Sequence, residues 1–206
     1  MKIAVFGATG GTGQQVVEQA LAAGHQVTAL VRNPVKLTLA HASLTVVTGN
    51  VLDAAKVAET LQGADAAVVS LGNTDSNPDY IVSLGTQVIV AAMQRLGRPR
   101  RIVVVSSLGV GDSQDQVPFA FKLLMKSVLR KPMEDKERQE ALIKASDLEW
   151  TIVRPGGLTN GPATGRYQAG VGLKISAGQV SRADVAAFVL KQLTDSTYLH
   201  QAPAIS

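Results

Sequence analysis

The chain contains no cysteine, which excludes a disulfide framework, a thiolate-ligated zinc or iron–sulfur centre and thiol catalysis, and fits a reducing compartment. Aromatic residues make up only 4% of it, too few for the Tyr- and Trp-rich packing of an antiparallel sandwich. No apolar run approaches the roughly 18 residues that would suggest a membrane span. The opening MKIAVFGATGG has neither a long apolar core nor a small-residue cleavage site, because Gly7 and the following glycines interrupt it, so it does not read as a signal peptide. A cytoplasmic protein without a membrane partner is expected. Histidine is also scarce: His25, His41 and His200 fall near a helix end, in a loop and by the terminus, which is surface placement. No metal site is expected.

What is present suits one α/β domain. The 206 residues are 46% apolar and 17% charged, enough for a sizeable core. The net charge of +4 is spread along the chain, a mild basicity that anionic small molecules explain, and no nucleic-acid partner is expected. A monomer is expected. Short β-branched runs at Lys2–Phe6, Gln26–Leu30, Leu44–Thr48, Ala66–Leu71, Arg101–Ser106 and Trp150–Val153 alternate with helix-period segments at Thr12–Ala23, Asp53–Leu61, Tyr80–Leu96, Pro132–Ala145 and Arg182–Leu193. This alternation predicts a doubly wound parallel sheet, the Rossmann arrangement, with no linker dividing the chain. Asp53, Asp79 and Ser181 are the expected helix caps, and Gly24, Gly63 and Gly97 the expected stops. Two irregular stretches, Gly72–Asp79 and the glycine-rich Gly156–Gly178, follow strands, where open α/β sheets bind ligands. Substrate-side loops are expected at about 108–131 and 156–180.

Directly after the first strand comes GATGGTG, with Gly7, Gly10 and Gly13 three residues apart, followed by the amphipathic segment QQVVEQALAAG. A sharp strand-to-helix turn needs residues without a Cβ so that backbone amides can approach a pyrophosphate. Gly7, Thr9, Gly10, Gly11, Thr12 and Gly13 are therefore candidate phosphate-loop residues, Gly13 also letting the helix sit close to the strand. An NAD site would place Asp or Glu at the end of the second strand to hold the ribose hydroxyls. Here stand Leu30, Val31 and Arg32. A guanidinium can clamp a 2′-phosphate, and Lys36 adds a second cation, so NADP(H) is expected over NAD(H). The plain alternative for both is a solvated surface cation.

With these residues the chain resembles the atypical short-chain dehydrogenase/reductase family, whose members carry TGxxGxxG, here within GATGGTG. The resemblance runs through VVTGNVLD (Val46–Asp53), VVSLGN (Val68–Asn73), VVVSSLG (Val103–Gly109), WTIVRPGGL (Trp150–Leu158) and SRADVAAFV (Ser181–Val189). Within the family it is most similar to the biliverdin-IXβ reductase/flavin reductase branch, and more loosely to NmrA-like proteins. The resemblance implies that Asn50 meets the adenine amine and Val51 packs on the adenine. Leu71 and Gly72, with Asn73 beside them, would line the central ribose, and Pro155, Gly156 and Gly157, followed by Leu158, would pass along the nicotinamide. Ser106 and Ser107 end the fifth strand where relatives offer a catalytic serine; their plain reading is local backbone capping.

The departure from the family pattern is chemical. Standard members use YxxxK, and alignment back from the RPG segment sets Lys136 on the lysine but Pro132 on the tyrosine. Tyr80, Tyr167 and Tyr198 are the only phenols, and none is followed four residues later by Lys. Chemistry that must protonate an alcohol oxygen is thereby demoted. Hydride transfer to a flavin or a bilin asks less of the protein, since solvent can protonate a delocalised acceptor. The expected activity is thus an NADPH-dependent reductase of flavins or bilins, with Ser107, Ser106 and Lys136 as catalytic candidates. Alternatives are an NADP(H)-binding regulator or assembly factor without turnover, and another small-molecule enzyme such as a quinone reductase or epimerase. The row Lys122, Lys126 and Arg130 within Pro118–Lys131 is a candidate cationic edge beside the acceptor, or simply a solvated helix face.

Overall fold

A computed structural model describes residues 1–73, 79–117, 129–172 and 178–206. The apolar runs become β1 (Lys2–Phe6), β2 (Gln26–Val31), β3 (Leu44–Thr48), β4 (Ala66–Val69), β5 (Arg101–Val105) and β6 (Glu149–Pro155). They pair in parallel in the order β3-β2-β1-β4-β5-β6, the doubly wound Rossmann order whose switch point lies between β1 and β4. Helices α1 (Gly11–Ala22), α2 (Ala54–Leu61), α3 (Ile81–Leu96), α4 (Arg130–Lys144) and α5 (Arg182–Lys191) cover the two faces. Strand alternation divides the core accordingly: Ile3 and Val5 point into the layer under α1 and α5, Ala4 and Phe6 into the layer under α2, α3 and α4. Burial on both faces is why the strands read as nearly continuous apolar runs.

Four short strands complete the sheets. β10 (Ala204–Ile205) extends the main sheet parallel to β6, and β8 (Ala169–Gly170) pairs antiparallel with β10. β7 (Gly157–Thr159) and β9 (Gln179–Ser181) form a separate parallel pair. The described part of the glycine-rich stretch after β6, residues 156–172 and 178, is thus loop with short strands, as predicted, whereas β10 has no counterpart in the sequence pattern. Strands of two or three residues are defined by the neighbour they pair with and leave no periodicity of their own.

Most predicted caps are present. The Asp53 carboxylate accepts from the amides of Ala55 and Lys56, Ser181 Oγ accepts from Asp184 N, and Gly24, Gly63 and Gly97 have φ of +79°, +69° and +71°. Asp79 does not cap α3; it pairs with Lys131 at 3.0 Å. The first-turn amides of Val82 and Ser83 instead donate to the carboxylate of Asp135 on α4, at 3.0 and 2.8 Å. A cap reached from another helix has no local sequence signature. Arg101, the first residue of β5, is buried and donates to carbonyls of Glu149 and Gln192 and to Thr151 Oγ1. The loop expected at about 108–131 includes a 3-10 segment, Gly111–Gln116, and the start of α4; Lys122 and Lys126 lie outside the described residues. No described helix is long and apolar enough to cross a membrane.

Candidate functional site

A cleft of about 730 Å³ opens beyond the carboxyl ends of β1 to β6, across the switch point. At its centre the chain turns from β1 into α1. Gly7 has φ +88°, and a Cβ on it would overlap the Ser70 carbonyl oxygen at the end of β4. Only glycine lets these two strand ends meet so closely. Gly10 is the N-cap residue of α1 and no side chain caps that helix. The first-turn amides, which an α-helix cannot satisfy from within, therefore lie at a cleft lined by Thr9, Gly10, Gly11 and Thr12. With the positive end of the helix dipole, this is an anion site, and the cradle fits a dinucleotide's diphosphate.

Gly13, predicted as a cofactor contact, is not on the cleft wall. A Cβ there would overlap the Gly7 carbonyl oxygen, so its role is the close helix-to-turn approach. Gly157 also stands apart: it pairs in register with Gln179, and its amide donates to the Gly178 carbonyl. Its neighbours Gly156 and Leu158 do line the cleft, so one residue of WTIVRPGGL is skipped where the chain pairs with β9.

Beyond the end of β2, Arg32 and Lys36 line the cleft and are exposed. Between them Asn33 Oδ1 accepts from Val35 N at 3.1 Å, starting the 3-10 turn Pro34–Lys36 that carries the lysine. No carboxylate lines this end. Asn50 Oδ1 already accepts from Leu52 N at 3.0 Å, leaving one lone pair and the amide hydrogens for a ligand. Val51 forms part of the wall, held there by α3: a Cβ on Gly85 would lie 2.7 Å from Val51 Cγ1. Leu71, Gly72 and Asn73, after β4, also line the cleft.

The opposite end is built by Val105, Ser106 and Ser107 after β5, by Pro155, Gly156 and Leu158 after β6, and by Lys136 from α4. Lys136 Nζ donates to the Val105 carbonyl at 3.2 Å. Burial pushes its ammonium down to about 8, against the opposing pull of the Asp135 and Glu140 carboxylates. Ser106 is tied into a buried network: its Oγ donates to Glu140 Oε1 at 2.7 Å, and Arg154 donates to both oxygens of the same carboxylate. That engagement favours a structural part for Ser106. Ser107 Oγ makes only a 3.2 Å bond to the adjacent Leu108 carbonyl.

None of the three tyrosines lines this cleft. The Tyr80 ring lies under the Arg138 guanidinium, Tyr167 packs edge-on against Phe188, and Tyr198 Oη donates to the Ala169 carbonyl. The histidines are also elsewhere: His25 Nδ1 faces the N-terminal amine, His41 Nδ1 accepts from Ser43 N, and His200 stacks on Trp150. Among the described residues no three acidic or histidine side chains cluster as a metal site would require. Sequence reasoning missed Phe6, Asn33, Ser70, Ile81 and Arg182 on the cleft wall. For Arg182 a signal existed, its place in the SRADVAAFV segment, but nothing local says that α5 begins beside α1.

Comparison with known proteins agrees with this geometry. Residues 7–196 match the family described as NAD(P)H-binding. The oxidoreductase stcQ of Emericella nidulans is 30% identical over 209 residues, covering 88% of this chain and 76% of that protein. Among solved structures, ChuY, an anaerobillin reductase from Escherichia coli O157:H7, superposes with a TM-score of 0.85 at 29% identity, covering 100% of this chain and 96% of the other. A short-chain dehydrogenase/reductase of Veillonella parvula, solved with NADP, also has a TM-score of 0.85, at 21% identity and covering 100% and 94% of the two chains. That likeness speaks to the fold.

Proposed function

The chain belongs to the NAD(P)H-binding family and is an NAD(P)H-dependent oxidoreductase; from that premise we propose that it uses NADPH to reduce a planar, delocalised acceptor, a bilin or a flavin. The observation that carries this reading is the make-up of the acceptor end: among the described residues no phenol or imidazole lines it, and its proton-bearing side chains are Ser107, Ser106 and Lys136. Reduction of a simple carbonyl needs a placed acid for the developing alkoxide. A delocalised acceptor spreads its charge over ring nitrogens that water can protonate, so position over the nicotinamide does most of the catalysis. The likeness to a bilin reductase over the whole chain supports the same class of acceptor.

The parts divide as follows. Arg32 and Lys36 bind the 2′-phosphate, the first turn of α1 binds the diphosphate, Val51 packs on the adenine, and Asn50 offers its remaining acceptor to the base. Leu71, Gly72 and Asn73 flank the central ribose, and Pro155, Gly156 and Leu158 form the wall beside the nicotinamide. The bound dinucleotide supplies the hydride. Ser107 Oγ orients what lies at the acceptor end, and the Lys136 ammonium, anchored on the Val105 carbonyl, offers a positive charge to an anionic acceptor. Ser106 acts through Glu140 by fixing the end of β5.

The direct test follows loss of reduced-nicotinamide absorbance with biliverdin, FMN, riboflavin and a quinone panel, each with NADPH and NADH. Turnover with a bilin or flavin that prefers NADPH is expected. Turnover with quinones alone would select a different acceptor class, and tight binding without turnover would select a regulator.

A further inference from the structure

Gly11 is not one of the three evenly spaced glycines of the loop between β1 and α1, yet it has a close neighbour of its own, the side chain of Arg182. A Cβ there would lie 2.7 Å from Cδ and 2.8 Å from Nε of Arg182. Arg182, the first residue of α5, thus lies across the first turn of α1, in the wall shared by the cleft and a second groove beside Gln14 and Asn160. Its guanidinium donates to Asn160 Oδ1 at 2.6 Å. Among the described residues no carboxylate pairs with it. Asp184, the acid nearest in sequence, spends its oxygens on Ser181 Oγ, on the hydroxyl and amide of Thr164 and on the amide of Gly165.

Helix stability does not account for a cation here, because the first turn of α5 is the positive end of that helix's dipole. A half-buried guanidinium whose hydrogen-bond partner is a neutral amide, set beside the uncapped N-terminus of a second helix, concentrates positive potential at one point of the cleft. The group that offsets it is an anion between the two helix starts. We propose that Arg182 grips the diphosphate of the bound dinucleotide, with Asn160 as the positioning residue that holds the guanidinium over Gly11. This rests on the dinucleotide reading of the cleft and gives its cations separate roles, in which Arg32 and Lys36 read the 2′-phosphate and Arg182 takes the diphosphate common to both nicotinamide dinucleotides. The same turn of α5 also fastens the acceptor-side segment, through Asn160 and through Asp184 to Thr164 and Gly165.

Ligands that carry one phosphate group and lack the other separate these roles. Calorimetric titrations with NADPH, NADH and 2′-AMP, which has no diphosphate, would be run on the wild type, Arg182→Ala, Arg182→Gln, Asn160→Ala and Arg32→Ala. Arg182→Ala is expected to raise the Kd for NADPH and for NADH by the same factor, about tenfold, and to leave 2′-AMP unchanged. Arg182→Gln, which keeps a hydrogen-bond donor without the charge, should lose nearly as much, and Asn160→Ala should give a smaller loss of the same pattern. Arg32→Ala should show the reverse, weakening NADPH and 2′-AMP while sparing NADH. Unchanged dinucleotide affinity in both Arg182 variants, or an equal loss of 2′-AMP, would overturn the proposal while leaving the NADPH reading intact. A wild type that binds neither dinucleotide would overturn both.

Discussion

Arg32 stands at the end of β2 in place of the carboxylate that would accept hydrogen bonds from free ribose hydroxyls. If it clamps a 2′-phosphate, as proposed, replacing it with alanine removes a charge-assisted contact that NADH does not make. The Kd for NADPH should rise by at least about tenfold while that for NADH stays level; equal losses, read by fluorescence titration, would reassign the residue to the solvated surface. Ser107→Ala should lower kcat severalfold with little change in cofactor affinity, and an unchanged rate would return the hydroxyl to its local backbone contact. Lys136 provides a pH dependence. Its ammonium titrates at about 8 in the folded protein against 10.5 for an unperturbed lysine, so below pH 8 the fold carries a buried charge that it would be more stable without. That penalty fades as pH rises from about 8 toward 10.5, where the unfolded chain still holds the proton that the folded chain has released. Lys136→Met should therefore raise Tm most below pH 8, with the advantage shrinking across that window in parallel melts.

Helices α3 and α4 are joined by a cap that neither could make alone. Asp135 is fully buried, and its two oxygens take the amides of Val82 and Ser83. Its neighbour Lys136 faces the cleft, so one turn of α4 serves both the fold and the site. Asp135→Ala would leave two buried amides without acceptors and should cost about 2–3 kcal/mol, seen as a lower urea midpoint at unchanged slope. Since the Asp135 charge also raises the Lys136 pKa, Asp135→Asn should move any Lys136-dependent activity profile to lower pH. The Glu140–Arg154 pair works similarly at the ends of β5 and β6. Arg154 donates to Glu140 and to Asp112, while Ser106 donates to Glu140, which pins the ends of β5 and β6 where Ser106 and Pro155 line the cleft.

Across the whole molecule, the cleft draws its walls from the ends of six parallel strands and the starts of α1, α3 and α5, with Lys136 from α4. A ligand spanning these elements bridges both core layers and is available only to the folded state. NADPH at about a hundred times its Kd should add about 2.7 kcal/mol of stability, a Tm increase of roughly 5–10 °C for a domain of this size. NADH at the same concentration should give a smaller rise, and Arg32→Ala should bring the two cofactors level in thermal-shift measurements.

Much of this was written in the sequence because it rests on local rules. Strand β1, the GATGGTG turn and helix α1 announce themselves by an apolar run, glycines at fixed spacing and helical periodicity, and Arg32 stands a predictable distance beyond them. The absence of a tyrosine at the YxxxK position was also readable, as a matter of residue identity. Long-range packing alone decided the rest. It paired Gly157 with β9, gave the hydroxyl of Ser106 to Glu140, capped α3 from α4, and added β10 beside β6. It also brought Arg182, 171 positions along the chain, onto Gly11. Contacts between residues so far apart depend on how helices settle on the sheet, and no periodicity or spacing within one segment encodes that.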